Sequence, residues 1–363
     1  MRYFSTFTGI GGFELGIKNS YELLNIRSIQ SNYSKKSKSR NNTENKLSQW
    51  ECVGYSEIDK HAIQVYQSRF PEHHNYGDIT KIDTDTLPDF DLLVGGFPCQ
   101  SFSIAGKRRG FEDTRGTMFF ELARILRAKQ PRLFIFENVK GLLSHDGGKT
   151  FATIISAIDE LGYDCEWQVL NSKNHGVPQN RERIFIIGHL RGTPRPKVFP
   201  FGQTNGASDE SHLMYVGSVS QRDFAKDGKK LSRNSPQGSR VYDTDGIMPC
   251  LAKETGGHGR VSGLLAIPVL TPDRPHKRQN GRRFKEDGDV SFTLTAQDKY
   301  GIFDGMKIRR LTPVECERLQ GYPDGWTDCV SDSQRYKCLG NAVTVNVVKS
   351  IIENICPPHP SPP

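Results

Sequence analysis

The sequence lacks any apolar run close to the roughly 20 consecutive residues that a membrane-spanning helix requires. Its first residues, 1–4, lead directly into a strand-like segment and do not resemble a signal peptide. These features predict a soluble protein of the cytoplasm that has no membrane partner.

Paired cysteines are also missing from the sequence. The 8 cysteines are scattered, and none of them forms a Cys-x-x-Cys pair. No group of cysteine and histidine residues has the spacing of a zinc site. We therefore expect a reducing compartment and no structural metal.

Positive charge is in excess. The 49 Lys and Arg residues against 41 Asp and Glu residues give a formal net charge of +8, which favours a polyanionic partner. Part of this charge lies in residues 31–46 (SNYSKKSKSRNNTENK), which are polar and have no periodicity. This stretch predicts an exposed insertion, with a basic arm that touches nucleic acid as the alternative.

The first half of the chain alternates short apolar runs with amphipathic stretches, which is typical of a parallel sheet covered by helices. The helical patterns are Phe119–Ala128 and Phe151–Leu161. The candidate strands are Arg2–Thr6, Glu51–Ser56, Asp91–Val94, Arg132–Phe136, Cys165–Leu170 and Arg183–Ile187. We predict an α/β fold with a doubly wound, mostly parallel, Rossmann-like sheet.

The amino-acid composition of the chain changes after Leu190. Residues 191–305 are rich in Gly, Pro, Ser, Arg and Lys, and they contain short β-like pieces and a faint repeat of 240–251 in 282–294. Helical order returns at a capping box, Thr312 to Glu315, and continues in a last helix over 343–355. We predict a catalytic and cofactor-binding domain (1–190), a smaller β domain (191–305), a returning C-terminal segment (306–356) and a disordered tail (357–363).

A glycine-rich turn, residues 7–13 (FTGIGGF), follows the first strand and precedes a helix. Glycine allows tight turning and a close approach to a ligand. Glu57 ends the second strand, where a carboxylate can accept hydrogen bonds from ribose hydroxyls, and Asp78 follows a third segment. This combination suggests a site for a nucleoside cofactor.

Cys99 stands in the loop GGFPCQSFS (95–103) beyond the third candidate strand. Open α/β sheets keep their active sites at this edge. The basic run at 107–109 favours a thiolate, and the glycines at 106, 110 and 116 are typical of a mobile lid. Glu137 follows the next strand and is a candidate acid. Arg181 and Arg183 share one face of an extended segment and are candidates to hold an anion or a carbonyl.

Further motifs complete an ordered set along the chain. They are FTGIGGFELG (7–16), GDIT (77–80), GGFPCQSFS (95–103), RGTMFFELARIL (115–126), ENV (137–139), NHGVPQNRERIFIIG (174–188), RRLTPVECERLQGYPD (309–324) and YKCLGNAVTVNVV (336–348). In this order they resemble the bacterial cytosine-C5 DNA methyltransferases. The resemblance covers the chain except residues 28–50, part of 191–305 and the tail. It implies an S-adenosylmethionine-dependent methyltransferase fold whose target recognition domain is the segment 191–305.

The resemblance also implies the cofactor, S-adenosyl-L-methionine, and the residues that line its pocket. Glu57 would bind the ribose and Asp78 the adenine amino group, while Ile58 and Ile79 would pack on the adenine. The implied pocket residues are Phe7, Gly9, Gly11, Gly12, Glu57, Ile58, Asp78, Ile79, Pro98, Asn341 and Val343.

By the same resemblance, Cys99 is the nucleophile that adds to carbon 6 of cytosine and activates carbon 5. Glu137 is then the protonated donor to N3, and Asn138 braces the loop of Cys99. Arg183 binds the O2 atom of the base, with Arg181 ordering the site beside it. The target base must be flipped out of the duplex, and loop 100–116 would close over it. Within that loop, Arg108 and Arg109 lie near phosphates.

In the recognition region, residues 237–242 (QGSRVY) resemble a segment that fills the vacated stack in some family members. This assigns Gln237 to the gap and Arg240 to the orphaned guanine. The family's Thr-Leu pair, which touches the backbone beside the flipped base, is assigned to Thr293 and Leu294. The repeat leaves Cys250 and Leu251 as the other possibility.

The resemblance implies double-stranded DNA as a partner. Because many members of the family belong to restriction systems, it also implies a restriction endonuclease that acts on the same site without binding the chain. The protein is expected to be monomeric. Two other functions stay open: a tRNA cytosine-C5 methyltransferase built on the same scaffold, and a catalytically silent DNA-binding regulator. The complete Pro-Cys, Glu-Asn-Val and Gln-x-Arg-x-Arg set argues against the silent regulator.

Overall fold

The computed structural model describes residues 1–21, 50–98, 118–194, 196–199, 201, 215–218, 240–242, 267–270, 289–296, 300–303 and 308–356. Its largest unit is a six-stranded sheet. The strands are β1 (Arg2–Thr6), β2 (Glu51–Ser56), β3 (Leu92–Gly96), β4 (Leu133–Val139), β5 (Tyr163–Asn171) and β6 (Glu182–Leu190). Each of them contains most of a predicted strand, and β1 and β2 agree with the prediction at both ends.

The sheet has the strand order β2-β1-β3-β4-β6-β5. The pairs β1–β2, β1–β3 and β3–β4 are parallel, whereas β4–β6 and β5–β6 are antiparallel. β6 therefore lies between β4 and β5 and runs against the rest of the sheet. This mostly parallel α/β sheet confirms the predicted fold class.

Helices cover both faces of the sheet. They are α1 (12–21), α2 (Lys60–Arg69), α3 (Met118–Lys129), α4 (Lys149–Glu160), α5 (Pro313–Leu319), α6 (Asp332–Asn341) and α7 (Val345–Ile355). On one face, Leu122 and Ile154 of α3 and α4 pack in a cluster with Phe134. On the other face, α1 and α7 pack against Val94 and Ile135. The sheet is therefore doubly wound.

The C-terminal segment packs against the beginning of the chain. Thr312 and Glu315 form the predicted capping box, in which the Thr312 Oγ1 accepts from the Glu315 N–H at 3.2 Å. The following helices join Ile10 and Leu15 in a third hydrophobic cluster. α7 begins at Val345, later than the predicted Val343. α7 itself packs on the six-stranded sheet through Val348 and Ile352.

Short strands follow the large sheet in the chain. They are β7 (Tyr215–Ser218), β8 (Arg240–Tyr242), β9 (Ile267–Leu270), β10 (Tyr300–Phe303) and β11 (Ile308–Arg310). β7 pairs with β8, and the other three form a small antiparallel sheet. Among the described residues, no helix has both the length and the apolar character needed to span a membrane.

Candidate active site

Several strand ends meet at one edge of the six-stranded sheet. The carboxyl ends of β1, β2, β3 and β4 lie there because these strands are parallel, and the amino end of β6 joins them because β6 is antiparallel. In this register Thr6 pairs with Gly95, and Val139 pairs with Arg183. Open α/β sheets bind ligands at such an edge. Glu57, which is predicted for the cofactor, and Glu137 and Arg183, which are predicted for the chemistry, therefore lie along this edge.

In the turn after β1, the backbone at Gly9 faces open space. Phe7 and Gly9 both have a positive φ, 48° and 58°, and the Gly9 N–H donates to the Glu57 Oε2 at 2.8 Å. A β-carbon on Gly9 would meet no atom within 4 Å. The backbone is thus accessible to a ligand at this point of the turn.

Gly11 and Gly12 are required for packing inside the protein. A β-carbon on Gly12 would lie 2.5 Å from the Tyr322 hydroxyl and 2.6 Å from the Val343 Cγ1. A β-carbon on Gly11 would lie 2.7 Å from the ring of Phe70. These two glycines let the C-terminal segment and α2 approach the turn closely.

Glu57 is held in one orientation by backbone groups. Besides Gly9, the Ile58 and Asp59 N–H groups donate to its Oε1 at 2.8 and 2.9 Å. The adjacent Ile58 side chain is 72% exposed. A carboxylate held in place next to an exposed apolar side chain fits a nucleoside site. In such a site the carboxylate accepts hydrogen bonds from the ribose hydroxyls and the apolar side chain packs on the base.

Asp78 begins a short turn beyond β2. The Thr80 N–H and hydroxyl donate to its Oδ1 at 3.0 and 2.8 Å, and these hydrogen bonds lower the pKa of Asp78. Ile79 is only 4% exposed and belongs to the hydrophobic core. Of the two isoleucines assigned to the adenine, only Ile58 therefore presents an open surface.

The C-terminal segment closes the far side of the turn. The Trp326 Nε1 donates to the Ile10 carbonyl at 2.8 Å, and Val343 lies against Gly12. Asn341, at the end of α6, is exposed. Trp326 was not identified in the sequence, although it lies two residues after the GYPD motif.

Glu137 and Arg183 form an ion pair at the sheet edge. The Arg183 Nε lies 2.9 Å from the Glu137 Oε1, and the side chains are only 17% and 14% exposed. Gly96 makes room for this pair, because a β-carbon there would lie 2.8 Å from the Glu137 Oε2. The predicted acid and the predicted base-binding arginine are thus in direct contact.

Asn138 connects this edge to the loop that follows β3. Its buried side chain donates from Nδ2 to the Phe97 carbonyl at 2.9 Å and accepts from the Val139 N–H at 2.8 Å. Pro98, which comes next, is exposed. This contact has the geometry expected of a brace for the loop.

Arg181 is buried and bonded to carbonyls of the protein itself. Its Nη1 donates to the Leu294 carbonyl at 2.6 Å, and its Nη2 donates to those of Gly340 and Ala342 at 3.2 and 2.7 Å. Burial lowers its pKa to about 9, and the nearby Arg183 adds to the effect. Arg181 joins three segments and is not directed at open space.

Thr293 and Leu294 lie beside the arginine motif. The Thr293 hydroxyl donates to the Asn180 carbonyl, and Leu294 is 3% exposed. The alternative pair, Cys250 and Leu251, lies outside the described residues, as do Cys99, Arg108, Arg109, Gln237 and loop 100–116. For Arg240 the structure gives only its place in β8.

The comparisons with known proteins agree with these motifs. The chain matches the C-5 cytosine-specific DNA methylase family over residues 1–356. It is 35% identical to the orphan methyltransferase M.SPRI of Bacillus phage SPR, over 98% of this chain and 97% of the relative. It is 33% identical to the type II methyltransferase M.NlaIV of Neisseria lactamica, over 84% and 92%. A crystal structure of a Spodoptera frugiperda DNMT2 variant has the same fold, with a TM-score of 0.57, 17% identity and coverage of 98% of this chain and 99% of that chain.

Proposed function

Because the chain belongs to the C-5 cytosine-specific DNA methylase family and is a DNA cytosine-5-methyltransferase, we propose that it acts through a covalent bond from Cys99 to a flipped-out cytosine. Its cofactor is S-adenosyl-L-methionine. The observation that carries the proposal is the convergence of Glu137, Asn138 and Arg183 on the edge that also holds Glu57.

The residues at the ends of β1 and β2 fit this cofactor. The open side of Gly9 leaves room for a ligand at the backbone, and the fixed carboxylate of Glu57 is able to accept from ribose hydroxyls. Ile58 offers apolar surface to an adenine, and Asp78 offers a carboxylate to its amino group. When bound, S-adenosyl-L-methionine supplies an electrophilic methyl group.

In the proposed chemistry, the thiolate of Cys99 adds to carbon 6 of the cytosine. This step forms a sulfur–carbon bond, breaks the double bond between carbons 5 and 6, and makes carbon 5 nucleophilic. Glu137 in its acid form donates a proton to N3 as electron density builds there. Arg183 stabilises the same charge through O2. Asn138 supports the reaction by holding the loop at Phe97.

The ion pair between Glu137 and Arg183 must rearrange before this step. The Glu137 carboxyl group accepts from the Arg183 Nε at 2.9 Å, whereas in the proposed step it donates a proton to N3. Entry of the base between the two side chains would give Arg183 a new partner in O2 and release Glu137 to take a proton. We therefore propose that entry of the base separates Arg183 from Glu137.

Trapping on DNA that contains 5-fluorocytosine tests the covalent step. Fluorine at carbon 5 prevents completion of the reaction, so the wild-type protein should form an adduct that survives denaturing electrophoresis. Cys99→Ser should form none. Cys356→Ser, at the end of α7, is the matched control and should keep the adduct. An adduct of wild-type yield in Cys99→Ser would rule out this nucleophile.

We also propose that residues 191–305 form the domain that recognises a short duplex sequence. Thr293 would contact the DNA backbone beside the flipped base, and its bond to the Asn180 carbonyl beside the arginine motif supports this assignment. Leu294, predicted for the same contact, is only 3% exposed and is bonded to Arg181, so it would support Thr293 from the protein interior. Gln237 and Arg240 would occupy the gap and read the guanine. Arg108 and Arg109 would contact phosphates, so their loss should weaken binding to all sequences about equally.

A role in a restriction-modification system is proposed from the type II name of one relative. Another relative is named an orphan methyltransferase, so the two roles must be distinguished in the source cell. Deletion of the gene should cause cleavage of chromosomal DNA if a nuclease acts on the same site. Normal growth with intact DNA after deletion would contradict the restriction role and leave the methyltransferase activity unaffected.

A further inference from the structure

Residues 291–294 run alongside the segment that leads into β6. The Ser291 N–H donates to the Pro178 carbonyl at 2.9 Å, and the Asn180 N–H donates to the Ser291 carbonyl at 3.0 Å. The Thr293 hydroxyl adds a bond to the Asn180 carbonyl. The two segments are therefore joined as a short parallel pair.

The peptide groups of Leu294 are held from both sides by the arginine motif. Gln179 accepts from the Leu294 N–H through its Oε1 at 3.3 Å, and Arg181 donates to the Leu294 carbonyl at 2.6 Å. The Gln179 Nε2 also donates to the Leu319 carbonyl at 2.8 Å. Gln179 is fully buried, so each of its polar atoms depends on these partners.

This arrangement needs a side chain with a donor and an acceptor at one end. The amide of Gln179 satisfies the Leu294 N–H and the Leu319 carbonyl at the same time. A glutamate would keep the acceptor for Leu294 but lose the donor for Leu319. A methionine of similar size would leave both backbone groups without a partner, which is costly in a buried place.

The same stretch of chain reaches the catalytic pair. Arg183 follows Gln179 and Arg181 at the beginning of β6, and its guanidinium contacts Glu137. Thr293 is thus connected to Arg183 through residues 179–183, because its hydroxyl binds the Asn180 carbonyl. Gln179 fixes the position of this segment relative to Leu294. A small displacement of a catalytic group can cost roughly 10²-fold in rate.

We propose that Gln179 is a positioning residue that fixes the backbone of Thr293 and Leu294 relative to Arg183. Contact of Thr293 with DNA would thereby align the catalytic arginine. The inference rests on the proposed function of Thr293 at the DNA backbone. Gln179 itself touches neither the cofactor nor the base in this account.

The test compares two buried glutamines with the same kind of bonds. Gln320 is also fully buried. It donates to the Leu339 carbonyl at 2.8 Å and to the Ala342 carbonyl at 3.4 Å, accepts from the Thr344 hydroxyl at 2.8 Å, and has no hydrogen bond to residues 289–296 among the described contacts. The variants Gln179→Met and Gln320→Met therefore lose similar bonds in different places.

Each variant is assayed for thermal unfolding, for affinity to S-adenosyl-L-methionine, and for single-turnover methyl transfer to saturating unmethylated plasmid DNA. We expect both to unfold at lower temperature. Only Gln179→Met should lower the transfer rate at saturation, by at least about 10-fold, with cofactor affinity within about twofold of wild type. Gln179→Glu, which keeps the acceptor for Leu294, should recover part of the rate.

A double-mutant cycle shows whether Gln179 acts through Thr293. The fold decrease in transfer rate of the double variant should be smaller than the product of the fold decreases of Gln179→Met and Thr293→Val, because both substitutions disturb the same alignment. Gln320→Met and Thr293→Val should combine to the full product.

Equal rate losses in the two methionine variants, or a wild-type rate in Gln179→Met, would overturn the inference. If Gln179→Met does not fold, Gln179→Asn takes its place, because the shorter side chain cannot keep both the bond to the Leu294 N–H and the bond to the Leu319 carbonyl, and a wild-type rate in that variant would overturn the inference. An inactive wild-type protein would contradict the proposed function instead, so the two failures are distinguishable.

Discussion

The guanidinium of Arg183 lies 2.9 Å from the carboxylate of Glu137, and both side chains are mostly buried. The two residues are diagonal neighbours on the antiparallel strands β6 and β4, since Glu137 pairs with Phe185 and Val139 pairs with Arg183. Side chains in this relation lie on the same face of the sheet within reach of each other. The reversed direction of β6 thus brings an arginine to the edge at which the parallel strands end.

Replacement of Glu137 by glutamine should abolish most of the activity. Glutamine keeps the size of the side chain but has no acidic proton for N3, so we expect single-turnover methyl transfer to fall about 10²- to 10⁴-fold. Binding of DNA in a gel-shift assay should be kept. Glu182→Gln is the control, because Glu182 pairs only with the exposed Lys140 among the described contacts. A rate for Glu137→Gln within about twofold of wild type would contradict the assigned role.

Replacement of Arg181 by methionine should strongly destabilise the protein. Three buried carbonyls, those of Leu294, Gly340 and Ala342, would lose a charged donor. We expect the free energy of unfolding in denaturant to fall by about 3 kcal/mol or more. Arg191→Met, which removes an exposed arginine paired with Asp164, should cause no comparable change. Equal effects of the two substitutions on the free energy of unfolding would contradict the stabilising role of the hydrogen bonds from Arg181.

Replacement of Trp326 by phenylalanine should weaken the binding of S-adenosyl-L-methionine. The indole N–H bond to the Ile10 carbonyl holds the glycine-rich turn, and its loss costs about 1 kcal/mol, or roughly fivefold in affinity. Calorimetric titration measures the change. Trp167→Phe, on the edge strand β5 and 46% exposed, is the matched control and should bind normally. Unchanged affinity in Trp326→Phe would contradict this role.

Glu14, on α1 directly after the glycine-rich turn, should make stability depend on pH. Its carboxyl group is buried, and hydrogen bonds from the Ser5 and Tyr66 side chains offset only part of the effect of that burial. Burial raises the pKa of Glu14 from 4.5 to about 7. Between these values the unfolded chain has released the proton while the folded protein still holds it, so stability falls as pH rises through this window.

The total loss from Glu14 is on the order of 3 kcal/mol, since one pKa unit corresponds to about 1.4 kcal/mol. Above pH 7 the contribution no longer changes. Glu14→Gln should remove this dependence and be more stable than wild type at pH 8. Denaturant unfolding at pH 5 and pH 8 measures the difference between the two proteins. An equal fall in stability between these pH values in both proteins would contradict the assignment.

The sheet edge could be predicted from the sequence because its signals are local. The predicted ends of β1 and β2 are correct, and the spacing of Thr312 and Glu315 in the sequence predicts the capping box that the structure contains. Helices α2 and α6 were not predicted, because each buries only three residues and has little apolar periodicity. The reversed direction of β6 was not predicted, since burial patterns report which residues are covered and not the direction of the strand.

The parts of the site that depend on distant segments could not be predicted in detail. Gly11 and Gly12 were assigned to the pocket, but the need for glycine comes from Phe70, Tyr322 and Val343. Likewise, the carbonyl partners of Arg181 lie more than 100 residues away in the chain. No local pattern identifies such partners, because they are set by how the C-terminal segment packs on the glycine-rich turn and the large sheet.

The most direct test of the central claim is the identity of the methylated nucleoside. Unmethylated plasmid DNA and tRNA are each incubated with labelled S-adenosyl-L-methionine and digested to nucleosides, which are then separated. We predict that the wild-type protein places the label in 5-methyl-2′-deoxycytidine from DNA and that Cys99→Ser places none. Label only in tRNA, label in another nucleoside, or an unchanged yield from Cys99→Ser would contradict the account.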